Sequence, residues 1–173
     1  MDPRFEEYSV ETTRKLQDPG LLLVSANKLG KINVMTIGWG LIGMFWGRPV
    51  FMVAVRSSSY THGLIEDSGE FTVNVPDEGM KDVVQHCGEV SGREHDKFSE
   101  CKLSLLKSRI VRAPVIAQCK LHYECRVVHK LDVIPRLVPV RFFVRAMIER
   151  VKGLFNRHGN YRSLYFGEIL AIY

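Results

Sequence analysis

Six consecutive residues, Arg56, Ser57, Ser58, Ser59, Tyr60 and Thr61, put one guanidinium and five side-chain hydroxyls into a single stretch directly after an apolar run at 50–55. A phosphate dianion needs charge-assisted donors converging from several sides, and a turn of this composition at the mouth of a buried strand supplies them. The same residues also suit a solvated Ser-rich turn in which Thr61 caps the next helix. The segment alone leaves both readings open.

Three other patterns invite a chemical reading. Residues 38–43, GWGLIG, match the dinucleotide fingerprint GxGxxG, with Glu66 and Asp67 downstream. That fold needs a long crossover helix opening at the glycines, whereas Gly47, Arg48 and Pro49 end any helix early and an apolar strand follows, so the match is accidental. Cys119, His122, Cys125 and His129 resemble a zinc series. Strand periodicity puts His122 on the face opposite both cysteines, so the expectation is packed core thiols and no metal. In the segment 88–98, GEVSGREHDKF, Lys97 stands beside Phe98 and suits a planar anionic ligand, or a solvated face with one buried ring. His86 and His95 read as surface or capping histidines, and no catalytic base is assigned.

The elements that must position these groups are short. An apolar strand at 21–26 (LLLVSA) turns at Asn27 to Gly30 and returns antiparallel at 32–37. The unbroken run 50–55 is the pattern of a strand covered on both faces. A helix at 62–67, a strand at 70–75 (EFTVNV) with period-2 alternation and a helix at 77–86 bearing Met80, Val83 and Val84 follow, with a turn near Cys87 and Gly88. A short polar helix then carries Lys97. The segment 117–130 alternates well, and 161–173 reads as a last strand bent at Gly167. At 140–156, Phe143, Met147, Val151, Leu154 and Phe155 form a helical stripe with Arg141, Arg145, Lys152 and Arg157 largely elsewhere. Such a basic amphipathic helix suits a membrane surface or nucleic acid, but an apolar stripe of this size is ordinary core, and a helix covering the barrel or a dimer partner is the expectation.

The chain has 173 residues, 46% hydrophobic and 25% charged, which suits one domain over 1–173. Its net charge of +5 is uneven: residues 126–162 hold nine Lys or Arg against Asp132 and Glu149, or +7, leaving −2 for the rest. Basicity therefore belongs to one segment, and no nucleic-acid partner is expected. Four cysteines without a CxxC pair, and no charged-then-apolar leader, suit reduced thiols in a cytoplasmic protein. No apolar run approaches the roughly 18 residues of a membrane span. Six or more short strands, brief helices and one late helix argue for a mainly β fold with peripheral helices: an antiparallel Greek-key barrel, closed or half-closed.

Several linked motifs, in order, carry a resemblance: NVMTIGW at 33–39, RSSSYT at 56–61, EFTVNVP at 70–76, CGEVSGREHDKF at 87–98, YEC at 123–125 and YFGEILAIY at the end. From about Leu21 to Tyr173 the chain resembles the flavin reductase-like proteins with an FMN-binding split barrel, and within them the flavoredoxin group. The resemblance implies a homodimer with one FMN per subunit near the interface. It places Asn33, Met35, Thr36 and Trp39 along the ring and ribityl side, Arg56, Ser58, Ser59 and Thr61 at the phosphate, and Lys97 and Phe98 over the flavin. Lys97 would set positive charge near the N1 and C2 carbonyl region and raise the reduction potential. Asn33 and Thr36 have opposite parity on an ideal strand, which requires a bulge or a backbone contact. The implied function is an oxidoreductase passing electrons from NAD(P)H or a reduced protein to a flavin, iron or another small acceptor. The alternative is a non-catalytic FMN electron carrier docking to a redox protein.

Overall fold

The computed structural model describes residues 5–133 and 161–173. The expected basic helix at 140–156 lies outside the described residues.

Seven strands make one antiparallel sheet in the order β2-β1-β5-β8-β9-β4-β3: β1 Leu21–Ala26, β2 Ile32–Ile37, β3 Gly40–Phe45, β4 Arg48–Arg56, β5 Glu70–Val75, β8 Leu121–Val133 and β9 Arg162–Ile172. A two-stranded ribbon, β6 Leu105–Leu106 with β7 Val115–Ile116, accompanies it. Helices α1 Phe5–Gln17, α2 Tyr60–Ser68, α3 Lys81–Glu89 and α4 Lys97–Glu100 lie at its periphery. This is the mainly β, antiparallel architecture with peripheral helices that the sequence predicts.

The strands β1, β2 and β5 have the expected bounds, because each is a short β-prone run closed by Gly, Asn or Pro. The glycine motif resolves as a hairpin rather than a nucleotide loop: β3 returns through Trp46 (φ 50) and Gly47 (φ 72) into β4, the left-handed pair that a two-residue turn needs. Gly40 permits that pairing, since a Cβ there would lie 2.7 Å from the Met52 carbonyl oxygen.

Five features depart from expectation. Helix α1 carries no clear apolar stripe, burying only Phe5, Thr12 and Leu16; Thr12 and Tyr123 share a 2.6 Å hydrogen bond that ties it to the sheet. Helix α3 runs through the turn expected at Cys87 and Gly88 to Glu89. Strand β8 starts at Leu121, so Cys119 precedes it and packs in a second core cluster with Leu22, Val84 and Cys87, whereas Tyr123 and Cys125 face the main one. Gly167 serves close approach, because a Cβ there would meet Phe71 Cζ at 2.5 Å and Cys125 Cβ at 2.8 Å. Finally, the alternation of β5, and of β8 from Leu121 to Cys125, marks two buried faces, whereas β8 from Arg126 on is largely exposed. Residues 105–116 fold over the polar side, where Glu124 accepts the backbone N–H groups of Arg109, Ile110 and Val111 at 2.6, 2.7 and 2.9 Å and the Tyr173 hydroxyl at 2.7 Å. Burial alone would raise the Glu124 pKa, but these donors hold its carboxyl below the usual range.

Candidate functional site

Strand β2 ends the sheet, and β4 with β9 lies across from it. A cavity of about 840 Å³ opens in that gap, within the range of small-molecule sites. Its walls come from the end of α1, strand β2, the 56–61 turn, the C-terminal half of α3 and the 90–93 loop, closed by Lys97 and by Arg162 of β9.

The parity problem of Asn33 and Thr36 has a topological answer. The hairpin closes with Asn27 N–H donating to the Lys31 carbonyl at 2.9 Å and runs in regular register without a bulge. Odd-numbered residues of β2 therefore bond to β1, and the backbone groups of Val34 and Thr36 point off the sheet's free edge. Because the cavity wraps an edge strand, Asn33, Met35 and Thr36 all line it despite opposite parity. Asn33 Nδ2 donates to Thr61 Oγ1 at 2.8 Å, and the Thr36 hydroxyl donates to the Val84 carbonyl, binding β2 to α2 and α3. Gly92 lies so close to Asn33 that a Cβ would stand 1.9 Å from its Oδ1.

The 56–61 turn is both capped and charged. Ser59, not Thr61, caps α2: its Oγ accepts from His62 N–H at 3.2 Å and donates to the Arg56 carbonyl at 2.8 Å. That hydroxyl is engaged in the cap, and Thr61 is fully buried against Asn33. Arg56 and Arg162 stand directly opposite each other across β4 and β9, an arrangement of like charges that destabilises a sheet unless an anion joins them. Arg162 stacks 4.3 Å from the Trp39 ring, and its buried Nε has no hydrogen-bond partner among the described residues. Burial first, and the Arg56 charge second, push its pKa below the ordinary guanidinium range. Arg93 donates to the Ser58 carbonyl at 2.8 Å and lines the same cavity. Three guanidinium groups beside the N-terminus of a nine-residue helix give this end of the cavity a chemistry suited to an anion.

Nine of the ten expected site residues, Asn33, Met35, Thr36, Trp39, Arg56, Ser58, Ser59, Thr61 and Lys97, line the one cavity. Phe98 does not: it packs on the second core cluster, behind the wall. Lys97 is buried and donates to the carbonyls of Cys87 and Val90 at 2.9 and 3.1 Å, so its ammonium satisfies the end of α3. Desolvation lowers its pKa. Arg162 and Arg93 were not singled out by motif. Arg162 becomes visible only through its register opposite Arg56, and Arg93 carried no signal beyond its place between Gly92 and Lys97. Among the described residues, no group of His, Cys, Asp and Glu is arranged to hold a metal ion, and no helix is long and apolar enough to cross a membrane.

Residues 18–164 match the family model of the flavin reductase like domain. The chain belongs to that family. Flavoredoxin from Methanosarcina acetivorans is 32% identical and superposes with a TM-score of 0.65, covering 89% of this chain and 67% of that one. Flavoredoxin of Desulfovibrio vulgaris (Miyazaki F) shares the fold at 21% identity, with a TM-score of 0.67 over 90% of this chain and 68% of its own. An uncharacterised protein of Archaeoglobus fulgidus is 39% identical over 103 residues, which span 59% of this chain and only 57% of that relative.

Proposed function

We propose that the cavity holds FMN and that the protein is a flavin reductase-like oxidoreductase, passing electrons from NAD(P)H or a reduced protein to a flavin, iron or another small acceptor. The observation that carries this is the direct opposition of Arg56 and Arg162, both lining the same end of the cavity. A phosphate monoester held by these guanidinium groups would neutralise the opposed charges.

Bound FMN would supply hydride and single-electron chemistry. The chain's own residues hold and orient it. Arg56, Arg93 and Arg162, with Ser58 and the backbone of the α2 N-terminus, take the phosphate. Asn33, Thr36 and Thr61 present polar groups along the β2 edge, and Met35 and Trp39 give apolar surface for a ring. Lys97 fixes the α3 terminus that forms the far wall, with its positive charge behind it. The FMN-binding protein from Thermus thermophilus, which shares the fold at 18% identity, supports FMN as the flavin.

The protein is further proposed to act as a homodimer. The outer face of β3, β4 and β9 carries Leu41 (67% exposed), Phe45 and Phe166 stacked at 5.4 Å, and Trp46 (75% exposed) at the hairpin tip. This apolar face runs directly into Ala54, Arg56 and Arg162 of the cavity, and exposed apolar surface of this kind marks a contact site.

An absorption spectrum of the purified protein, repeated after desalting and addition of FMN, tests the cofactor. Flavin bands that are present, or recovered on addition, support it; a protein that stays colourless with FMN refutes it. Oxidation of NADH or NADPH in proportion to protein, with free flavin present, supports the enzyme. Its absence alongside reduction by a ferredoxin-like protein leaves the electron carrier.

A further inference from the structure

The end of the cavity suited to an anion is divided between elements far apart in sequence: the capped N-terminus of α2 supplies one side and Arg162 of β9 another. A second set of side chains joins these two elements. On α2, His62 and Glu66 stand one helical turn apart, about 6 Å along the axis. On β9, Ser163 and Tyr165 stand two strand positions apart, about 7 Å, on the face opposite Arg162. The spacings match, and the side chains meet in two rungs: His62 Nε2 lies 3.1 Å from Ser163 Oγ, and the Tyr165 hydroxyl donates to Glu66 at 2.5 Å. Strand β8 closes the network, since the Ser163 hydroxyl donates to Asp132 at 2.6 Å and Lys130 bridges Glu66 at 3.1 Å and Asp132 at 3.5 Å. Ser163 and Tyr165 are buried, so the rungs are sheltered from competing water.

A hydroxyl has one proton to donate. Because Ser163 donates to Asp132, its oxygen accepts from His62, which places a proton on Nε2 of the imidazole. The His62 backbone N–H donates to Ser59 Oγ at 3.2 Å. One residue therefore closes the helix cap and ties the first turn of α2 to β9, next to Thr61 on its own element and, through Ser163, next to Arg162 on the other. We propose that His62 is a positioning residue for the phosphate of the flavin: through Ser163 and Asp132 it holds the α2 N-terminus against β9, so that the helix N–H groups and Arg162 converge on one anion. This rests on the reading of the cavity as an FMN site. His62 does not line the cavity and acts through the two elements that do. Such a tie is needed because Arg56 and Arg162 repel each other across the β4–β9 pair, and a shift of α2 would part the helix terminus from both.

The test compares FMN with riboflavin, which has the same ring and ribityl chain without the phosphate, by quenching of flavin fluorescence on the full chain. His62→Leu and Ser163→Ala each remove the first rung. Each should raise the Kd for FMN about 5- to 10-fold, the worth of one buried hydrogen bond, and leave the Kd for riboflavin unchanged. His62→Gln, whose side-chain amide keeps an N–H donor for Ser163, should restore wild-type FMN affinity. A general loosening of the fold would weaken both ligands together. Variants that weaken FMN and riboflavin alike, variants that weaken neither, or a His62→Gln that behaves as His62→Leu would each overturn the proposal while leaving the FMN site standing. Should His62→Leu not fold, Ser163→Ala decides. A wild type that binds neither FMN nor riboflavin would refute the flavin reading, and this inference with it.

Discussion

Replacing Arg162 by Met should move apo-protein stability and FMN affinity in opposite directions. Arg162 faces Arg56 directly across the β4–β9 ladder. Two unit charges at the roughly 5 Å typical of directly opposed side chains repel by about 3 kcal/mol at an effective dielectric of roughly 20. Arg56 is exposed, so water and salt reduce this to about 1 kcal/mol. Removing the buried Nε, unpartnered among the described residues, relieves about 1 kcal/mol more, while losing the stack on Trp39 costs about 0.5–1 kcal/mol. The net is an apo-protein more stable by about 1 kcal/mol, or about 2–4 °C in Tm for a chain of this size. With FMN the sign reverses: one charge-assisted contact to phosphate is worth about 1.5–3 kcal/mol, so Kd should rise about 10- to 100-fold. Urea titration of the apo form and quenching of flavin fluorescence read the two effects separately. A variant that is less stable as apo-protein yet binds FMN as tightly as the wild type would show that Arg162 is a structural residue, and would remove the argument for an anion at this end of the cavity.

Gly92→Ala puts a methyl where Asn33 Oδ1 stands; Asn33 must leave Thr61, and FMN affinity should drop at least ~10-fold, about the worth of one buried hydrogen bond, with circular dichroism unchanged. Gly167→Ala drives a methyl into Phe71 and Cys125 and should cost about 1–3 kcal/mol in denaturant titrations; a neutral result would refute the close approach of β9 to Phe71 and Cys125. Burial pushes the imidazoles of His62 and His122 below their ordinary value of 6.5. Both are therefore neutral in the fold and bind protons more readily when unfolded, so their contribution is whole above pH 6.5 and lost as pH falls below it. Urea midpoints measured from about pH 8 down to about pH 5 should decline, and His122→Gln should flatten the slope. An unchanged slope in that variant would assign the acid sensitivity elsewhere.

The parts of this protein legible in its sequence are those written in contiguous residues. Strands at 21–26, 32–37 and 70–75 have local period and local stops, and they form where read because short-range signals agree with burial. The 56–61 turn could be picked out as a candidate site because its donors are adjacent in the chain, and Arg56 and Ser58 to Thr61 do line one cavity. Alternation in β5 and β8 sorted residues between two faces but carried no information on what covers each face; only the 105–116 excursion, anchored on Glu124, buries the polar one. Helix α1 escaped notice because it docks through a few residues and one hydroxyl pair, too few to impress a period on its sequence. The opposition of Arg56 and Arg162 and the approach of Gly92 to Asn33 were decided by tertiary structure alone. Each is a relation of register or helix docking between distant segments, set when the whole sheet and core close together, and no spacing within one segment encodes it.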